Sequence, residues 1–309
     1  MNLSIIIPVY NGAASLPDLM RRLAATLNAR PEPFEVILIN DGSRDNSWDV
    51  IRDLSVQYDC LHGINLMRNY GQHNALLCGI RAARGRFIVT MDDDLQHPPE
   101  EIPRLLAALS EEVDVVYGTP LQEQHGPWRD LASQITKLSL QHAMGAATAR
   151  KVSAFRAFRA QLAQAFAAYQ SPFVSIDVLL TWATTRFTSV PVRHDPRRHG
   201  VSNYTFRKLV THALNMLTGF STWPLQIASM IGFAFTLFGL GVLGFVLGRY
   251  ILEGSAVAGF PFLASMIAVF SGAQLFALGI IGEYLARMHF RMMERPTYAV
   301  RERVGGSEG

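Results

Sequence analysis

Two cysteines in 309 residues, Cys60 and Cys78, exclude a disulfide framework, and they have no metal-type spacing. Reduced, structural thiols are the expectation. Charge is also scarce: Asp, Glu, Lys and Arg make up 17% of the chain, and the shortage is concentrated after Trp223. No long basic run occurs, and a net charge of +3 with a pI near 9.0 suits anionic lipid or phosphate ligands without implying nucleic acid. A basic leader with a cleavage site is missing too, so the first domain is expected to remain on the side of the membrane where it is made.

What the chain does contain is an apolar run, Phe87-Ile88-Val89, that ends abruptly in Asp92-Asp93-Asp94-Leu95-Gln96-His97-Pro98-Pro99. Adjacent carboxylates repel one another, and a hard cation with oxygen ligands relieves that repulsion. The alternative is an acidic turn capping a helix that starts near Pro98 or Pro99.

Around this stretch, apolar strand-like runs alternate with amphipathic helical ones, which implies a mostly parallel sheet with helices on its faces. The predicted strands are Leu3–Val9, Phe34–Asn40, Leu61–Leu66, Arg86–Met91 and Val113–Tyr117; the predicted helices are Ala14–Leu27, Asn46–Tyr58, His73–Ala83 and Pro99–Leu109. The loops after the first, second and fourth strands then open on one edge, where ligands bind in such sheets. They carry Pro8-Val9-Tyr10-Asn11-Gly12, Asn40-Asp41-Gly42-Ser43 and the acidic triplet.

With Ser4–Asn11, Asn40–Ser43, Asn69-Tyr70-Gly71-Gln72 and Asp92–Gln96 in this order and spacing, the chain resembles the family-2 glycosyltransferases of GT-A fold. The Asp-x-Asp-x-Gln pattern followed by Pro-Pro-Glu is similar to the branch that moves a sugar from a nucleotide onto a polyprenyl phosphate. The resemblance implies that Pro8, Tyr10, Asn11, Asp41, Asp92 and Asp93 lie against the donor, and that Asp92, Asp94 and Gln96 hold Mg2+ or Mn2+ on its diphosphate. It places the acceptor phosphate on Arg129, Ser133 and Ser202, and sends Arg197 to the donor diphosphate. Asp92, Asp94, Arg129 and Arg197 become the candidate catalytic residues. Phe155–Arg159 corresponds to a segment below the sugar pocket; Asp177 either faces the sugar or is a satisfied structural acid. Two positions depart from the family pattern: Gly12 stands where Glu is common, and Asp93 where a small residue is usual.

Tyr204 to Phe220 puts its apolar residues on one stripe, as a helix in the headgroup region does. Leu225–Gly248 and Gly254–Gly282 contain no Asp, Glu, Lys or Arg, and about 20 apolar residues suffice to cross a bilayer. Arg207, Lys208, Arg287, Arg291 and Arg295 flank one side, which keeps both termini cytosolic by the positive-inside bias. Gly239-Leu240-Gly241-Val242-Leu243-Gly244 spells a dinucleotide-binding pattern, but no strand precedes it; Gly244 and Gly248 instead suit close helix contact, within the chain or between copies.

The expected fold is α/β, GT-A (Rossmann-like) with an interfacial amphipathic helix and two transmembrane helices. Its division is a cytosolic catalytic domain over residues 1–200, a juxtamembrane helix over 201–223, a membrane hairpin over 224–286 and a cytosolic tail over 287–309. The expected activity is inverting transfer from a nucleotide sugar, UDP-linked in this reading, to undecaprenyl phosphate at the cytoplasmic membrane. The product would serve a cell-envelope glycan or lipid modification. A processive polysaccharide synthase shares the first domain but carries Gln-x-x-Arg-Trp, which is absent here; a scaffold for a lipid-sugar flippase would lack metal-dependent nucleotide binding.

Overall fold

The computed structural model describes residues 2–120, 152–171, 173–196, 223–253, 260–293 and 295–305. Contacts divide the chain into one unit formed by Met1–Val210 with Glu294–Gly309, and a second formed by Thr211–Met293.

The first unit is built on β1 (Leu3–Val9), whose seven residues are all buried. Such a strand, apolar on both faces, requires a layer on each side, and this is why its sequence shows no polar alternation. The same holds for β2 (Phe34–Asn40), and β3 (Leu61–Leu66) and β4 (Phe87–Thr90) are nearly as buried. Helices α1 (Leu16–Leu27), α2 (Ser47–Gln57) and α3 (Gln72–Ala82) connect them. Leu16, Leu19, Met20, Leu23 and Leu27 form the buried stripe of α1, the three-and-four spacing that an amphipathic helix needs to cover a sheet. After β4 come a 3₁₀ turn (Pro99–Glu101) and α4 (Ile102–Ala107), then β5 (Val115–Pro120).

The expected α/β core is present, and the sheet is mixed. Its order is β7-β5-β6-β4-β1-β2-β3-β8, where β6 is Arg156–Arg159, β7 is Phe187–Val192 and β8 is Val300–Val304. The pairs β1–β2, β1–β4, β2–β3 and β5–β7 are parallel. Strand β6 runs antiparallel between β4 and β5, and β8 runs antiparallel along β3. The C-terminal residues are therefore more than a tail, because Val300–Val304 complete the sheet. A short helix, α5 (Ile176–Ala183), precedes β7.

Both thiols are free. Burial pushes Cys78 up to about 11, and burial likewise raises Cys60, as inert structural cysteines require.

The second unit holds α6 (Trp223–Glu253) and α7 (Phe260–Met292). Pro224–Val246 and Val269–His289 are long and apolar enough to cross a membrane, and the most apolar 18 residues of each are uncovered by protein. A core helix of similar composition would be covered by protein. The close approach within the pair is at Gly239, where an added Cβ would stand 3.2 Å from the Phe270 ring, which also meets Phe235 at 5.6 Å. At Gly244 and Gly248 an added Cβ meets nothing within 4 Å. Among the described residues, the within-chain contact expected at those two positions is therefore not seen.

Candidate active site

Since β1, β2 and β4 are neighbouring parallel strands, their C-terminal tips share one edge, and three loops meet there. The β1–β4 register ends at Ile6↔Thr90, so Pro8 lies beyond the β4 ladder while still beside Ile39 of β2. A proline in a central strand is tolerated at such a position. Past the strand, Tyr10 is exposed and Asn11 turns the chain with φ of 56°.

Asparagine tolerates this left-handed backbone, and its neighbours lock it. The Asn11 N–H donates to Ser43 Oγ at 3.0 Å, while its side-chain oxygen accepts the Arg44 N–H at 2.8 Å. Gly12 N–H donates to Ser47 Oγ at 2.9 Å, and Asp45 takes the Ser47 hydroxyl at 2.5 Å. The first two loops are therefore cross-braced before any ligand arrives. Ser43, Asp45 and Ser47 carry this bracing, although as sequence they read only as a polar turn.

Asp41 is 2% exposed and accepts the N–H groups of Tyr70 at 2.7 Å and Gly71 at 2.9 Å, one on each oxygen. Burial raises its carboxyl and the two amides lower it; the balance is upward. Gly42 beside it has φ of 62°, and a side chain there would run into the Arg68–Asn69 backbone. Asp41 thus holds the loop before α3 in place.

In the acidic loop the three carboxylates go to different neighbours. Asp92 Oδ1 accepts Gln72 Nε2 at 2.6 Å, Asp93 lies over Gly12, and Asp94 Oδ1 accepts the Gln96 N–H at 3.1 Å. Leu95 between them has φ of 61° with its side chain buried. A leucine in this region costs roughly 1–3 kcal/mol, which burial of the side chain offsets by about as much. The loop is anchored by that leucine, and its three acids are half-buried.

The Gln96 carbonyl accepts the Asp195 N–H at 2.8 Å, and its side-chain nitrogen lies 3.5 Å from His194 Nε2. His97 stacks on Phe155 at 5.2 Å and meets His194 edge-on at 4.9 Å. Burial, helped by His194, lowers His97 to about 4. The strand-end residues His194 and Asp195 therefore dock on the acidic loop, a contact for which the sequence carries no periodic signal.

Asp177 proves to be the satisfied structural acid. It accepts the Tyr117 hydroxyl at 3.0 Å and forms a buried ion pair with Arg156. Tyr117 is held well above its ordinary value by burial and by the Asp177 charge. The Arg129, Ser133, Arg197 and Ser202 positions lie outside the described residues.

Asp92, Asp94 and the Gln96 amide form an all-oxygen donor set, which fits a hard divalent cation. Among the described residues no group of three or more His, Cys, Asp or Glu side chains forms a ligand cage.

Residues 4–167 match the model for glycosyl transferase family 2. Undecaprenyl-phosphate 4-deoxy-4-formamido-L-arabinose transferase of Pseudomonas syringae pv. syringae (strain B728a) is 34% identical over 307 residues, with 98% of this chain and 91% of the relative covered. The chain belongs to glycosyl transferase family 2. The transferase of the same description from Aeromonas hydrophila subsp. hydrophila is 36% identical and covers 97% of this glycosyltransferase and 93% of its own length. The fold of the family-2 domain is also that of glucosyl-3-phosphoglycerate synthase from Mycobacterium tuberculosis, solved with Mn2+ and UDP-glucose. The TM-score is 0.52 at 15% identity, over 70% of this chain and 77% of that one. This glycosyltransferase thus has the GT-A fold and falls with the polyprenyl-phosphate branch of its family.

Proposed function

We propose that this glycosyltransferase moves a sugar from a UDP-linked donor to undecaprenyl phosphate, with inversion, at the cytosolic face of the inner membrane. The observation that carries this reading is near-full-length similarity to undecaprenyl-phosphate 4-deoxy-4-formamido-L-arabinose transferases, extending through both apolar helices. The braced loops at the tips of β1, β2 and β4 support the donor half of the reading.

The acceptor is a phosphate monoester whose second pKa lies near 6, so it is largely dianionic at neutral pH and needs little deprotonation. Its oxygen attacks the anomeric carbon as the bond to the donor diphosphate breaks, and the electron pair leaves on the diphosphate. Charge is the obstacle, because two phosphate groups must approach. A divalent ion at Asp92, Asp94 and Gln96 would neutralise the leaving diphosphate. Asp41 and Tyr10 hold the nucleoside side of the pocket, Arg197 reaches the diphosphate, and Arg129 with Ser133 and Ser202 grips the acceptor phosphate.

In this reading residues 1–200 are the cytosolic catalytic domain, 201–223 are the juxtamembrane segment, and the hairpin over 224–286 anchors the chain in the membrane. The test is incubation of membranes containing the full chain with undecaprenyl phosphate, Mg2+ or Mn2+, and UDP-4-deoxy-4-formamido-L-arabinose, UDP-glucose, UDP-N-acetylglucosamine or GDP-mannose. The expected product is one lipid monophosphate sugar from a UDP donor. Polymer on a gel, or transfer only from GDP-mannose, would refute the reading.

A further inference from the structure

The two departures from the family pattern stand against each other in space. An ideal Cβ at position 12 would overlap Asp93 Oδ2 and lie 3.1 Å from Asp93 Cγ and 3.3 Å from Val9 Cγ1. Neither side can easily retreat. The Gly12 backbone is held by Ser47 through its N–H, and by the Ser15 hydroxyl, which donates to its carbonyl at 2.9 Å. Asp93 is held by its flanks, with Asp92 bonded to Gln72 and Leu95 buried in the core. The Asp93 carboxylate therefore occupies the space that any side chain at position 12 would need.

We propose that Gly12 and Asp93 act as a pair: the bare Gly12 backbone is the space that the Asp93 carboxylate fills from the β4 loop, so that each position fixes what the other can carry. Asp93 is then a positioning residue rather than a metal ligand. It fixes the Tyr10–Asn11 turn against the acidic loop and so sets affinity for the nucleoside part of the donor. This rests on reading the site as that of a nucleotide sugar. It also explains why a third acid sits between the two proposed metal ligands: its Oδ2 atom is buried over Gly12.

The experiment compares the full-length wild type with Asp93→Ala, Gly12→Glu and the double variant Gly12→Glu/Asp93→Ala. Three quantities are read: melting temperature without nucleotide, UDP affinity with Mn2+ by calorimetry, and the KM values for donor and lipid phosphate. Asp93→Ala is expected to weaken UDP binding and raise donor KM by about tenfold, with lipid-phosphate KM unchanged, within the range of coupled neighbours. Gly12→Glu should be worse in all readouts, since it adds both overlap and like charge. The double variant should recover UDP affinity to within about threefold of wild type, along with the melting temperature. A Gly12→Glu chain that fails to fold while the double variant folds gives the same support. Additive effects, an unfolded double variant, or wild-type binding by Asp93→Ala would overturn the proposal. The melting arm needs no donor. A wild type that binds no UDP would remove the nucleotide reading, while non-additive melting would still support the pairing of Gly12 with Asp93.

Discussion

Gln72 donates through Nε2 to Asp92 Oδ1 at 2.6 Å, tying the first acid of the site to the first residue of α3. Groups that orient a metal-binding carboxylate matter nearly as much as the carboxylate itself, typically by about 10–100-fold in affinity or activity. Gln72→Ala is therefore expected to raise the Mn2+ concentration for half-maximal transfer by at least about tenfold. Its melting temperature should change little, because the pair is exposed. A metal titration identical to that of wild type would remove Gln72 from the site.

Arg129 tests the other substrate. If it grips the lipid phosphate, Arg129→Ala should raise the undecaprenyl-phosphate KM by about 10-fold or more and leave the donor KM within about threefold, since a charge-assisted bond is worth about 1.5–3 kcal/mol. Steady-state kinetics with each substrate varied in turn separate the two. Equal increases in both KM values, or no increase in either, would count against the acceptor role.

The strands that position the site were legible because they are buried on both faces. Leu3–Val9 and Phe34–Asn40 contain continuous apolar runs that nothing in a loop imitates, and their observed bounds coincide with the expected ones. Three of the other sheet members left weaker traces. Arg156–Arg159 has charges at both ends, Phe187–Val192 contains Pro191 and lies at an edge, and Val300–Val304 is a charged edge strand of the kind that discourages pairing with other chains. In the site, the motifs located the loops but not the bonds between them. Asp41 reads as a ligand residue in sequence, yet its carboxylate is engaged by the amides of Tyr70 and Gly71, and only folding brings those N–H groups to it. The Gly12–Asp93 contact joins two substitutions that, far apart in sequence, look unrelated.

Asp114 gives the fold a dependence on acid. It is 3% exposed just before β5, where Thr184 donates to Oδ2 at 2.6 Å and Arg186 to both oxygens, at 2.9 and 3.1 Å. Burial alone would raise this carboxyl, but Thr184, Arg186 and Arg159 together outweigh burial and hold it below the ordinary range. With the folded value under the unfolded one, near 3.9, the unfolded chain binds more protons in between, so stability rises with pH there. The contribution is complete above about pH 4 to 5 and is lost as pH falls through the folded value. Asp114→Asn is expected to cost about 1–3 kcal/mol at pH 7. The melting difference from wild type should shrink steadily below pH 4. A constant difference down to pH 2.5 would contradict the assignment.

The C-terminal strand ties the chain that follows the apolar helices to the catalytic sheet. Val304 pairs with Gly63 and Arg303 with Ile64 of β3, Glu302 accepts the Trp48 indole N–H at 3.0 Å, and Arg301 donates to the Met67 carbonyl at 3.1 Å. Just upstream, Arg81 of α3 bonds Thr297 Oγ1 at 3.4 Å and stacks over Tyr298 at 5.7 Å. Without this segment β3 becomes an edge with unpaired N–H and C=O groups, Trp48 loses Glu302, and Arg81 loses Thr297 and Tyr298 while keeping the Ala167 and Tyr169 carbonyls. Loss of about 2–3 kcal/mol lowers the melting temperature of a domain this size by roughly 4–12 °C. A chain ended after Met293 should therefore melt at least that much lower and aggregate more readily, while one ended after Gly305 should match the full chain. The two truncations differ only in residues 294–305, so equal melting would show that β8 contributes nothing to the catalytic unit.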